Sequence, residues 1–409
     1  MSSTKTKNYS KVSWIVFIFT ISIVLISLIP VIFPSLFSDI FFKTEAEEIG
    51  IYTVQPVKPF ELGNLAIPLI VANIIVFIFF YLLKKKKQFH LKIESIIRFQ
   101  IPKKITIIII IVMITAYVSI SYTEVGFGKY HAEIDEEYLD WLRLKNRIIN
   151  MENLWPEQAS IEPHFKHTLL KISQIIFGNF YVVPYFSSIG LLIVTYLFTT
   201  KITNNRTAGL ISLFIVLQSS MFLRFDTSAS YNSFWILLYL LSLYAIVKSW
   251  QLSPVFYVLS IFSKIITIAY APMSIFFILN SNITKRTKII ITSFIISILV
   301  AALVVASTQN FIDTNWQWDE FWLGFTAFAF QMRLDGLIIL FLLPLTIGLF
   351  IISKNNKYAN SILILIVGIL LLSPIISALS HTNQPYRYLS LVVFFAVGVG
   401  LLFSKIRTK

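Results

Sequence analysis

The sequence predicts an all-α fold, a polytopic membrane helical bundle, and three observations carry that reading. Mean hydropathy is +0.78 over the 409 residues. Hydrophobic residues make up 56% of the chain and charged ones only 13%, with 37 phenylalanines, which leaves little to form a water-facing surface. Apolar runs such as 12–36 and 289–307 reach the roughly 20 residues that a helix needs to cross a hydrocarbon core.

Twelve apolar segments follow in order: 12–36, 64–83, 105–122, 180–200, 207–223, 231–247, 254–263, 266–279, 289–307, 334–352, 358–379 and 388–403. They predict about 11–12 spans. The first is too long for a secretory signal and is followed by no small-residue cleavage site. Charge placement orients the set. With the N-terminus in the cytoplasm, the cytoplasmic loops hold Lys5, Lys7 and Lys11, the run Lys84–Lys87 with Lys103 and Lys104, then Lys201, Arg206, Lys248, Lys285, Arg286, Lys288, Lys354 and Lys357. The C-terminal Lys405, Arg407 and Lys409 fall on the same side, whereas Glu94 is the one acidic residue there among the chain's 20. Such a partition is the positive-inside pattern, and it accounts for the net charge of +14 without a nucleic-acid partner. The Lys84–Lys87 run also suits contact with anionic membrane lipids. With zero cysteines the chain has neither disulfides nor thiolate chemistry.

The same bias decides segment 254–279. One helix there would place Lys285, Arg286 and Lys288 outside; two short helices keep them inside. Two full spans do not fit in 26 residues at ~1.5 Å each. A short helical hairpin is therefore expected, reaching part of the way across, with Lys264 at its outward turn.

The outer loops 37–63, 123–179 and 308–333 are long, as functional loops are. In loop 123–179, the stretch "HAEIDEEYLDWLRL" concentrates Glu133, Asp135, Glu136, Glu137 and Asp140. From Asp135 onward the pattern is helical: Asp135, Leu139, Leu142, Asn146 and Ile149 share a face. That face, with Tyr138 and Trp141, suits the membrane interface. Asp135 fits a helix N-cap and Glu136 its first turn. Neighbouring carboxylates also raise one another's pKa, which suits proton transfer, and the two roles are compatible. Further on, "HTLLKISQIIF" is a second amphipathic helix, with His164, Lys166 and His167 at its start. These histidines with His131 could serve a divalent metal or a phosphate, or be solvated. Their spacing is not that of a metal site, so no metal or other cofactor is expected.

Four cations, Arg224, Lys264, Arg333 and Arg387, lie in different outer loops beside apolar spans. Each either snorkels to headgroups or holds an anion. Loop 308–333 is rich in aromatics, Trp318 among them, which serve interfacial anchoring or sugar stacking.

Taken together, these stretches resemble the membrane-embedded C-type glycosyltransferases, in particular the protein O-mannosyltransferase and aminoarabinose transferase branch. "IDEEYLDWLRL" is similar to the acidic motif after the first core helix. "EPHFKHTLLKISQIIFG" is similar to the histidine-proline segment leading to Phe-Gly. "LSIFSKIITIAYAPMSIFFIL" resembles the short paired helices around a lysine, and "QPYRYLSLVVFF" the late Arg-Tyr before the last helix. The resemblance covers roughly 105–403, leaving 1–104 as two additional helices with a basic loop and 105–409 as the transferase-like domain. There are departures: Glu162 stands at the histidine position, Val183 and Pro184 where an arginine is frequent, and Asn232 at a frequent acid, with Asp226 six residues earlier.

The resemblance implies transfer of a sugar from a polyprenyl-phosphate donor to a protein, lipid or glycan acceptor on the extracytoplasmic face. It makes Asp135 the base and Glu136 its neighbour. His164, His167, Arg224, Lys264, Arg333 and Arg387 become candidates for the donor phosphate, and Asp226, Trp318 and Tyr388 for acceptor or sugar contacts. Two other readings stand beside it: a secondary transporter, and a non-catalytic membrane subunit with a transferase-like fold.

Overall fold

The computed structural model of the protein describes residues 9–36, 58–85, 99–127, 136–151, 164–308, 316–380 and 385–404. Among them the regular elements are all helical: α1 (Lys11–Ile32), α2 (Ala66–Lys85), α3 (Lys103–Phe127), α4 (Glu136–Ile149), α5 (His164–Phe177), α6 (Val182–Thr203), α7 (Arg206–Leu217), α8 (Ser220–Phe225), α9 (Phe234–Lys248), α10 (Ser253–Ser263), α11 (Ala271–Asn280), α12 (Lys285–Thr308), α13 (Trp318–Met332), α14 (Gly336–Ser353), α15 (Tyr358–Ser380) and α16 (Leu389–Leu402), with short 3-10 turns between some of them. Lys11–Ile32, Lys103–Thr123, Val182–Thr203, Gly336–Ser353 and Tyr358–Leu379 are long and apolar enough to span a membrane, and shorter apolar helices stand among them. The protein is an all-α polytopic membrane bundle.

Most predicted segments coincide with these helices to within a few residues, and two regions differ. Segment 207–223 is broken after Leu217, because Ser219 turns its Oγ to the Phe222 amide at 3.0 Å and starts α8 afresh. Within 308–333, the chain is helical from Trp318. Asp319 and Glu320 occupy the first turn, where negative charge favours a helix, and Phe325, Phe328 and Met332 are buried at helical spacing.

The chain forms two compact units, one of residues 1–99 with 305–409, the other of residues 100–304; α12 runs across the division. In the first, α1 packs on α13, α14 and α15, α2 on α14, and α16 on α14 and α15. The start of α1 is fastened to the C-terminal helices. Asn360 donates to Ser13 Oγ at 2.9 Å. The Tyr9 ring stacks on Phe350 at 4.3 Å, and Lys354 Nζ lies 3.9 Å from its centre. Helices α13 and α15 touch at Gly324, where an added Cβ would come 2.2 Å from Pro374 Cα. A small residue is what lets two membrane helices approach this closely.

In the second unit, α3, α6, α7 and α9 form a layered core, and short connections fix their directions. Ile101 at the start of α3 donates to Thr207 at the start of α7, and Ser188 near the start of α6 bonds Ser233 at the start of α9. The basic residues Lys103, Lys201, Arg206, Lys248 and Lys285 consequently gather at one end of these helices.

The α10–α11 segment is a re-entrant hairpin. Going up, Ser260 of α10 donates to the Trp235 carbonyl at the far end of α9. Coming down, Tyr270 packs on Tyr239 at 5.0 Å, and Phe277 meets Phe198 near the basic end of α6 at 5.8 Å. Both feet of the hairpin stand at the basic end.

Because the α13–α15 approach has no room for a methyl group, Gly324→Ala should destabilise the first unit by about 2–3 kcal/mol. A lowered thermal midpoint of the purified chain in detergent is the expected reading; an unchanged midpoint would refute the close packing.

Candidate functional site

The second unit buries one carboxyl among hydroxyl groups. Asp226 caps the C-terminus of α8 and is fully buried. Ser121 of α3 donates to its Oδ2 at 2.6 Å, and Ser188 of α6 donates to its backbone carbonyl at 2.6 Å. Ser233 extends the network to Ser187 at 3.2 Å and Ser188 at 3.0 Å. Tyr117 lies four residues before Ser121, on the same face of α3. It and Tyr185 of α6 are 1% and 7% exposed, and their rings stack at 5.8 Å. Both phenols lie within electrostatic reach of Asp226, and the Tyr117 hydroxyl is also in hydrogen-bonding reach of Asp226 and Ser121; the buried Tyr185 hydroxyl finds no hydrogen-bond partner among the described residues. A buried carboxyl needs donors to offset lost hydration, and a buried phenol oxygen without a partner marks a place where a further polar group fits. Three helices thus converge on Asp226 at the end opposite the basic residues. Ser121 stands about 27 Å along the α3 axis from Lys103.

Loop 226–233 is held by its own side chains. Ser228 Oγ accepts from the Tyr231 amide at 3.0 Å, and Asn232 donates to the Ala229 carbonyl at 2.8 Å. Asn232, where the family resemblance would place an acid, therefore serves loop closure. Lys166 of α5 donates to the Ser230 carbonyl at 2.6 Å.

Helices α4 and α5 lie over this end of the unit. The face of α4 that packs is Trp141, Leu144 and Ile148, buried with Leu170 and Phe180; Trp141 meets Phe180 edge-on at 5.5 Å. Trp141 was expected at the membrane interface, and the structure turns it inward, while Ile149 of the expected stripe is exposed. Amphipathic spacing alone does not distinguish a protein neighbour from a lipid one. α5 buries His167, Leu170 and Ser173 and exposes Ile175, Ile176 and Phe177, an apolar tip suited to lipid. It ends at Gly178, whose φ of +64° is the left-handed conformation that glycine adopts at low cost.

Asp135 and His131 lie outside the described residues, and Glu136 begins α4. Of the other candidates in this unit, His164 and His167 stand on the first turns of α5, and Arg224 is exposed over the Phe225 ring at 5.7 Å. Lys264 is half-buried in extended backbone at the hairpin turn, its amide donating to Ser260 at 2.9 Å. The remaining candidates belong to the first unit. Trp318 and Arg333 are exposed at the two ends of α13, and Arg387 is half-buried in the turn before α16. Tyr388 is buried and donates to Ser373 Oγ at 2.5 Å, which in turn donates to the Gly324 carbonyl at 3.1 Å. That bond makes Tyr388 a brace between the turn and the α13–α15 contact. Among the described residues no three histidine or carboxylate side chains converge as a metal site would require.

The ring of Tyr117, Ser121, Tyr185, Ser188 and Ser233 was not singled out in the sequence. Its one signal is polar residues spaced by four, or adjacent, in otherwise apolar spans. Compared with known proteins, the chain matches no family model, no curated protein and no solved structure at a significant level.

Removing the Asp226 carboxyl strands Ser121. Asp226→Ala should lower stability by about 2–3 kcal/mol and Ser121→Ala by about 1 kcal/mol, with Asp226→Asn between them. Thermal unfolding in detergent reads this order; equal midpoints for Asp226→Ala and the parent chain would contradict the network.

Proposed function

We infer that the protein is a membrane glycosyltransferase, moving a sugar from a polyprenyl-phosphate carrier to an acceptor on the extracytoplasmic side. The observation that supports this reading most is the place of Asp226. The hydroxyl-lined carboxyl lies at the end of the unit opposite the basic residues, where α3 leads into the acid-rich loop 123–179. The positive-inside bias makes that end the outer one. The order of the segments resembling C-type glycosyltransferases is the second support.

In this reading the acceptor hydroxyl attacks the anomeric carbon of the donor sugar. Asp135 takes the hydroxyl proton, the bond from carbon to the phosphate oxygen breaks, and its electron pair leaves with the lipid phosphate. Positive charge is needed where that phosphate develops charge. Lys264 on the hairpin turn, Arg224, His164 and His167 are the candidates within the unit of residues 100–304. Asp226, with the phenols of Tyr117 and Tyr185, offers acceptors and donors for sugar hydroxyls.

One observation favours a second reading. A re-entrant hairpin in the same unit as a buried carboxyl also suits the substrate sites of secondary transporters. The two readings part at Asp135. Transferase chemistry requires its carboxylate, so Asp135→Asn should reduce transfer by about 100-fold or more. The readout is the envelope glycan profile, by mass spectrometry, of cells whose only copy is the variant. A wild-type profile at normal expression would remove the transferase reading and leave transport or a non-catalytic subunit.

A further inference from the structure

Helix α5 holds two separate parts of the second unit by two lysines. Lys171 Nζ donates to the carbonyls of Ile148 at 3.0 Å and Ile149 at 3.2 Å, the last residues of α4. The last carbonyls of a helix lack the usual amide four residues on; here the Ile148 carbonyl otherwise meets the Met151 amide at 3.4 Å, and a cation at this end complements the negative end of the helix dipole. Lys166, five residues earlier and about 140° around the helix, donates to the Ser230 carbonyl in the loop that carries Asp226. Between the lysines, Leu170 is fully buried in the cluster of Trp141, Leu144, Ile148 and Phe180. The other end of α5 is closed by Gly178. There Ser173 donates to the Asn179 carbonyl at 2.6 Å and accepts from the Val183 amide at 3.1 Å, joining α5 rigidly to α6.

We propose that α5 is a strut setting the register between α4 and loop 226–233, and that Lys171 is a positioning residue for the acidic start of α4. The amphipathic pattern of α4 alone leaves it free to slide or rotate on the membrane surface. The buried Trp141 fixes its rotation, and Lys171 stops it along its axis by gripping two carbonyls at its end. Lys171 touches no reacting group in the mechanism above; it acts through the position of α4, which begins at Glu136. Its link to transfer rests on the glycosyltransferase reading, whereas the strut itself does not.

The test uses the full chain reconstituted in liposomes, with hydrogen exchange read by mass spectrometry, alongside the glycan profile of cells carrying the same variants. Lys171→Met keeps the length and loses the donor; Lys171→Arg keeps both donor and charge. The expected result is exchange about tenfold faster across residues 136–151 in Lys171→Met, with α3, α6 and α9 unchanged and with Lys171→Arg near the parent. Glycan should fall about tenfold in Lys171→Met and recover in Lys171→Arg. Unchanged exchange over 136–151 would overturn the strut. Parental glycan levels in Lys171→Met, with Asp135→Asn inactive, would overturn the positioning role alone. If Asp135→Asn keeps its glycan, the transferase reading fails while the exchange data still decide the strut.

Discussion

In a hydrocarbon surrounding, each polar group must find its partner inside the protein, and that constraint organises this molecule. The helices meet it along their backbones. Their hydroxyl side chains meet it mostly by folding back. Thr195, Thr203, Ser212, Ser274 and Thr346 each donate to the carbonyl four residues earlier on their own helix, at 2.6–3.1 Å. Such a bond asks nothing of a neighbouring helix, although Ser274 also meets the Tyr239 hydroxyl of α9 at 3.0 Å. Asp226 differs, because its carboxyl takes a donor from another helix, Ser121 of α3. Ser188 of α6 donates to the Asp226 backbone carbonyl, so α3, α6 and the α8–α9 loop are drawn to one point. Between α6 and α9, Ser187 and Ser188 face Ser233.

Close approach supplies what polar bonds do not. Association of helices in lipid gains little from burial of apolar surface and depends on packing and a few hydrogen bonds. Gly324 against Pro374 in the first unit and Gly209 against Tyr196 and Thr200 in the second are the tight points. Around the first, Tyr388 and Ser373 add a hydrogen-bonded pair; around the second, α6 and α7 turn back on each other through Asn204, which adopts a φ of 55°. Each unit thus has its own dense seam.

How far the sequence disclosed this differs by feature. Spans were legible because continuous apolar runs have one solution in lipid. The hairpin was legible because Lys285, Arg286 and Lys288 would otherwise fall on the wrong side. The break between α7 and α8 was not, since a serine inside an apolar run caps a helix or lies within one equally well. Trp141 reads as an interfacial anchor by composition and as core in space; its neighbours Phe180, Tyr181 and Leu170 decide for the core. The hydroxyls around Asp226 come from segments more than a hundred residues apart, and no local pattern joins Ser121 to residue 226. Asp135 falls outside the described residues, so the base proposed from the resemblance stands on sequence, whereas the buried carboxyl stands on geometry.

The bond between Ser13 and Asn360 joins residues separated by 347 positions. At about 5–20 residues per second of translation, α1 leaves the ribosome roughly 20–70 s before its partner exists. During that interval the 205 residues from Gln100 to Val304, which form a compact unit of their own, are made and delivered to the bilayer. α1 therefore waits in lipid with Ser13 and Tyr9 lacking their later companions Asn360, Phe350 and Lys354. Assembly of the first unit closes only after the residues of the second have been made, and α1 keeps an open polar edge until then.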